Sequence, residues 1–130
     1  MARDLFQIVD SLWQSADRQA AARKVQSTLD TAQKARLEQI ARVLRDGAAR
    51  RRSGGDAAQQ PTKLDGAGIE GLLTLLTLAV YHSDGLSYLP IDEREKRLQD
   101  WAKSTGYSAG EVREACALGP QGLRPLLRAS

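Results

Sequence analysis

The stretch GAGIEGLLTLLTLAV, residues 66–80, decides the fold. Ile69, Leu72, Leu73, Leu75, Leu76, Leu78, Ala79 and Val80 make it apolar on nearly every side. At about a dozen residues, the apolar run is short of the ~20 that a membrane span needs. A helix without a polar face belongs in the middle of a bundle, covered by other helices. Asp65 stands where an N-cap is expected, and His82-Ser83-Asp84-Gly85 is predicted to end the helix.

The flanking sequence supplies the cover. Downstream, Asp92 and Glu95 have capping-box spacing, Gly106 is a C-terminal stop, and Leu98, Trp101 and Ala102 form a buried face. Ser108 and Glu111 repeat the box, with Tyr107 and Val112 spaced as a hydrophobic staple; Gly119 stops that helix and Pro120 opens a short last one. Upstream, Asp4 is placed to cap a helix with Leu5, Ile8, Val9 and Leu12 on one face and Phe6 and Trp13 on its flank. Ser15 and Asp17 offer either a break or a polar step. Residues 17–46 contain no Gly or Pro, which predicts a helix of ~30 residues spanning about 45 Å and ending at Gly47. Val25, Leu29, Ala32, Leu37, Ile40, Val43 and Leu44 are its apolar stripe.

No strand pattern competes. Aromatic residues are only 5% of the chain, so the core is aliphatic, which suits helices better than a sandwich of sheets. With 130 residues the expectation is one domain, 1–130, all-α: a compact bundle of five to six helices with one long basic helix and a flexible basic loop at about 48–62.

Charge is unevenly placed. Residues 18–52 hold 10 Lys/Arg against 3 Asp/Glu, whereas residues 61–130 hold 8 against 9. Such asymmetry points to a polyanionic partner. On a continuous helix Arg23, Lys34 and Arg45 recur every 11 residues on one line, flanked by Lys24 and Arg42 and prolonged by Arg50, Arg51 and Arg52. A row of cations of this kind suits binding to RNA or single-stranded DNA backbone without sequence preference. A solvated basic face is the plain alternative. Arg18 and Arg36 fall near the centre of the apolar stripe, which calls for pairing with a carboxylate such as Glu95 or Asp100, or for a partner surface.

Catalysis, cofactors and metal are not expected. One His and one Cys exclude an ordinary zinc site, and nothing orients His82 and Cys116 as a dyad. His82 reads as a helix C-terminal dipole partner and Cys116 as a small core residue. Asp84–Glu95 has calcium-loop end spacing but Leu86, Tyr88 and Leu89 where oxygen ligands belong. Gly66-Ala67-Gly68 lacks the strand and Lys of a phosphate loop. Residues 111–127 approach helix-turn-helix spacing with Arg124 and Arg128 as readers, but Gly122 and Pro125 oppose a recognition helix, and a C-terminal cap packed by Leu123, Leu126 and Leu127 is favoured. Residues 1–20 carry three Asp and no apolar run, so no secretory leader is read there; the setting expected is cytoplasmic, with no membrane partner.

The basic N-terminal helix, the polar loop, GAGIEGLLTLLTLAV (66–80) and the later LQDWAK (98–103) together resemble the small helical subunits of CRISPR effector complexes, over about residues 20–103. The resemblance implies a non-catalytic subunit of an antiviral ribonucleoprotein that contacts guide RNA or target strand through basic side chains, here Arg42, Arg45 and Arg50, Arg51 and Arg52. It also implies other protein subunits or self-association. The alternative is a helical protein–protein adaptor or inhibitor of phage or plasmid type, and a helix-turn-helix regulator comes third. A 45 Å helix in so small a bundle leaves its ends uncovered, so Leu5, Phe6, Val9, Trp13, Val43 and Leu44 are the expected assembly surface.

Overall fold

A computed structural model of the chain describes residues 5–53, 65–86 and 88–128, with side chains at all of these except 49–53, 83 and 84. Six helices follow one another: α1 (Leu5–Trp13), α2 (Arg18–Gln26), α3 (Thr31–Ser53), α4 (Gly66–Leu86), α5 (Ile91–Thr105) and α6 (Ala109–Arg128). No strand occurs among the described residues. The all-α bundle is as expected, and α4 is its axis: it packs against each of the other five helices. Leu72, Leu73, Leu75, Leu76 and Ala79 are wholly buried, and Thr77 joins them by donating its hydroxyl proton to the Leu73 carbonyl. Asp65 caps α4 by accepting from the Gly68 amide at 2.7 Å. The helix runs on past His82 to Leu86, whose carbonyl accepts from Arg94 Nε at 3.0 Å; the same guanidinium donates to Leu89 O in the following connection at 3.2 Å.

The predicted 30-residue helix is two helices. Ser27 and Thr28 turn their hydroxyls back on the carbonyls of Lys24 and Val25 and end α2. Asp30 and Gln33 then form a reciprocal cap, Gln33 N to Asp30 Oδ1 at 2.7 Å and Asp30 N to Gln33 Oε1 at 2.9 Å, which starts α3. Leu29 is buried at the corner. From there the two diverge: α2 packs on α4 and α1, and α3 packs on α6 and α4. Gly47 does not stop α3; it lies within it, facing Glu114 of α6. The helix continues through Ser53, so the basic loop expected at 48–62 does not begin before residue 54, and residues 54–62 lie outside the described residues, as does Asp4.

A second break, at Gln14–Asp17, folds α1 back on the bundle, with Asp17 capping α2 through the Ala20 amide. The expected assembly surface is thereby mostly core: Leu5, Val9 and Leu44 are buried, Phe6 and Trp13 are half-buried, and only Val43 stays exposed. In the C-terminal third, the Ser108–Glu111 box forms and Gly106 adopts the left-handed stop (φ 81). Gly119 (φ 62, ψ −170) bends α6, and Leu123 and Leu127 beyond it are buried. The Asp92–Glu95 box does not form, because α5 begins two residues earlier, with Pro90 and not Asp92 at its N-cap; Glu95 pairs with Arg113 at 2.6 Å instead.

One close approach holds α4 to the end of α5. A Cβ placed on Gly71 would run into the backbone carbonyl oxygen of Thr105, which cannot yield as a side chain does. Nearby, the Tyr107 hydroxyl donates to the Gly68 carbonyl at 2.8 Å. Gly71→Ala is therefore expected to cost about 1–3 kcal/mol by overpacking. Gly85→Ala, with nothing within 4 Å of the added methyl inside α4, should be neutral or stabilise by up to about 1 kcal/mol. Denaturant titrations of both variants check the pair.

Candidate functional site

The predicted cationic residues do not form one ladder. Arg23 belongs to α2 and is exposed, and its Nε lies 3.7 Å from the half-buried Glu70 carboxylate of α4. It borders a small polar cleft of about 170 Å³ with Gln19, Glu70, Thr74 and Ser104. Lys34, Arg42 and Arg45 share α3, with Lys34 and Arg42 exposed and Arg45 half-buried and engaged by a partner. Arg50, Arg51 and Arg52 lie in the last turn of the same helix. The line from Arg23 to Arg45 is broken because the caps at 27–30 send α2 and α3 to different partners. What remains is a helix of 23 residues with seven Lys/Arg and two carboxylates, seated at the edge of the bundle. It docks through Leu37, Ile40, Ala41, Leu44 and Ala48, all buried.

Arg18 and Arg36 find no carboxylate among the described residues. Arg36 donates to Gln39 at 3.2 Å, and Arg18 lies over the Trp13 ring with Cζ 4.7 Å from its centroid. Arg124 and Arg128, the readers of the helix-turn-helix alternative, lie over Phe6 at 5.6 and 4.5 Å. The two parts of α6 meet at a single bent residue, Gly119, where that motif needs a turn of three or four. This geometry is that of a C-terminal cap on α1.

A second cluster escaped the sequence. Trp13 stacks on Tyr81 (4.8 Å between centroids, 8° between planes) and meets His82 edge-on at 4.7 Å; Trp101 stands 6.2 Å from His82. The Tyr81 hydroxyl donates to Asp10 at 2.5 Å, and burial together with that carboxylate pushes the phenol up to about 12. His82 is not at a helix end, and its basicity is lowered, not raised: burial acts first, then the Arg18 and Arg97 guanidiniums. No local pattern connects Trp13 and Arg18 with His82, or His82 with Arg97 and Trp101, so only the packing of their helices reveals the cluster. Cys116 lies elsewhere, lining a groove of about 550 Å³ at the α6 bend, and burial pushes its thiol up to about 11, so it is protonated and unreactive at neutral pH. Among the described residues no three His, Cys, Asp or Glu side chains gather as a metal site, and no helix is long and apolar enough to cross a membrane.

The His82 shift fixes the sign of a pH effect. Its folded-state pKa lies below the ordinary 6.5, so the unfolded chain binds more protons between the two values. The stabilising contribution of neutral His82 is complete above about pH 6.5 and is lost as pH falls through the folded-state value. Stability of the parent should thus drop between about pH 7 and pH 5 relative to His82→Gln. Parallel denaturant titrations across that range test it, and superimposable pH profiles would refute it.

No protein-family model, curated protein or solved structure matches this chain.

Proposed function

We propose that this chain is a non-catalytic helical subunit that binds the backbone of RNA or single-stranded DNA without sequence preference, in the cytoplasm, within a larger ribonucleoprotein. The observation that carries the proposal is α3. Over 23 residues it bears seven cations against two carboxylates, about 34 Å of basic rod. It is anchored on α6 by one apolar edge, so its exposed residues, Lys34 and Arg42 among them, stand on a rigid support. Rigidly held cations lose little entropy when they take up phosphates, and each phosphate neutralised releases counterions. The contact set proposed is Lys34, Arg42 and Arg45 with Arg50, Arg51 and Arg52. Arg23 is left out of it, because its partner is Glu70. The resemblance to the small subunits of CRISPR effector complexes belongs to this proposal, and with it a role in antiviral defence.

A specific feature favours the adaptor alternative. Tyr88, on the α4–α5 connection, and Ile91, the first residue of α5, are 88% and 70% exposed, and Arg94 pins that connection in place. Presented apolar side chains on a fixed turn suit a protein partner.

Binding to a single-stranded oligonucleotide measured over a salt series separates the two. Nucleic-acid binding predicts a log–log slope near −0.7 per phosphate contacted and little dependence on base sequence. Replacing Lys34, Arg42, Arg45, Arg50, Arg51 and Arg52 by Gln should flatten the slope, whereas Arg23→Gln should leave it nearly unchanged. Absence of binding at low salt, or an unaltered slope in the six-residue variant, rejects the proposal and leaves the adaptor.

A further inference from the structure

The chain contains one histidine and two tryptophans, and all three meet where α1, α2, α4 and α5 come together. Two guanidiniums join them. Arg18 opens α2 and covers Trp13. Arg97 is exposed on α5, four residues before Trp101 and so on the same side of that helix.

Among the described residues, neither guanidinium is neutralised by a carboxylate. Glu70 takes Arg23 and Glu95 takes Arg113, but among the described residues no carboxylate stands within ion-pair distance of Arg18 or Arg97. Asp10, on the same helix as Trp13, spends its oxygens on Tyr81 and Gln14. The Nε of Arg18 is buried with no acceptor at all. Contact with the Trp13 ring offsets part of the charge, yet leaves that N–H unsatisfied, and an unmet buried donor is costly. The two guanidiniums also act together on His82, lowering its basicity. Two guanidiniums without a carboxylate partner act on one imidazole, and one of them carries an unmet donor; that setting suits an oxyanion.

We propose that this seam is an oxyanion site in which a phosphate group seats between Arg18 and Arg97 beside His82, against Trp13 and Trp101. The donors come from three helices, which suits the several oxygens of a tetrahedral phosphate better than the planar edge of a carboxylate. Guanidinium groups pair with phosphate through two parallel N–H donors. The site involves no residue of α3 and stands independently of the proposed function.

The intrinsic probes make the test direct. Inorganic phosphate is titrated against matched sodium chloride, following the single histidine ring resonance and the tryptophan fluorescence. Saturation of both signals is expected, with the His82 pKa raised by the bound anion. Arg18→Gln and Arg97→Gln should each weaken the response about tenfold or more, Arg18→Lys should retain part of it, and Lys34→Gln with Arg42→Gln should not affect it. An oligothymidylate that displaces phosphate from the His82 signal assigns the site to a phosphodiester; failure to displace it assigns the site to free phosphate or a phosphomonoester. A response no larger than that to chloride, or one unchanged in Arg97→Gln, whose exposed position leaves folding intact, overturns the proposal.

Discussion

A helix with no polar face needs to be surrounded, and the rest of the molecule is organised around that need. Between Ile69 and Val80, α4 offers water almost nothing. Each of the other five helices therefore packs against it. Burial of this kind is non-directional, so specificity comes from the few places where polar groups or backbone contact α4. Thr77 satisfies its hydroxyl within the helix, Tyr107 reaches the Gly68 carbonyl, and Gly71 admits the Thr105 carbonyl. These contacts set the angle at which the α5–α6 corner meets the start of α4.

The same demand for coverage rearranges the charges. A straight helix through residues 17–46 would have aligned Arg23, Lys34 and Arg45, but it would have drawn Ala22 away from α4 or Leu37, Ile40 and Leu44 away from α6. Four residues, Ser27 to Asp30, resolve the conflict. Their side chains meet the backbone groups that a helix end leaves open, so the break costs little while both apolar edges are buried. The cations on α3 are then held on one rigid support, and Arg23 is left to Glu70.

Around the C-terminal part of α4 the cover becomes aromatic and cationic. Trp13, Tyr81, His82 and Trp101 are large enough to close the seam between α1, α4 and α5, and each brings a ring onto which a guanidinium can settle. Arg18 does so on Trp13 at the end of α1, and Arg124 and Arg128 do so on Phe6 near its start. Arginine thus serves this fold in two ways, as charge along α3 and as a flat cover for aromatic rings.

Local chemistry was legible in the residues themselves. The apolar circumference of 69–80, the Ser108–Glu111 box, the left-handed stop at Gly106 and the bend at Gly119–Pro120 all depend on neighbours a few positions apart, and each formed as read. The Asp30–Gln33 cap was written just as plainly, but the absence of Gly and Pro across 17–46 concealed it, since propensity says how well a helix continues and not which face must be buried. Gly47 reversed in the same way, because a neighbouring helix, not the backbone, set its role. Which cations stay together, and that Arg18, His82 and Arg97 meet at all, followed from long-range packing. Charge and ring chemistry carry no address in a sequence; they acquire one only when burial of α4 brings distant helices into contact.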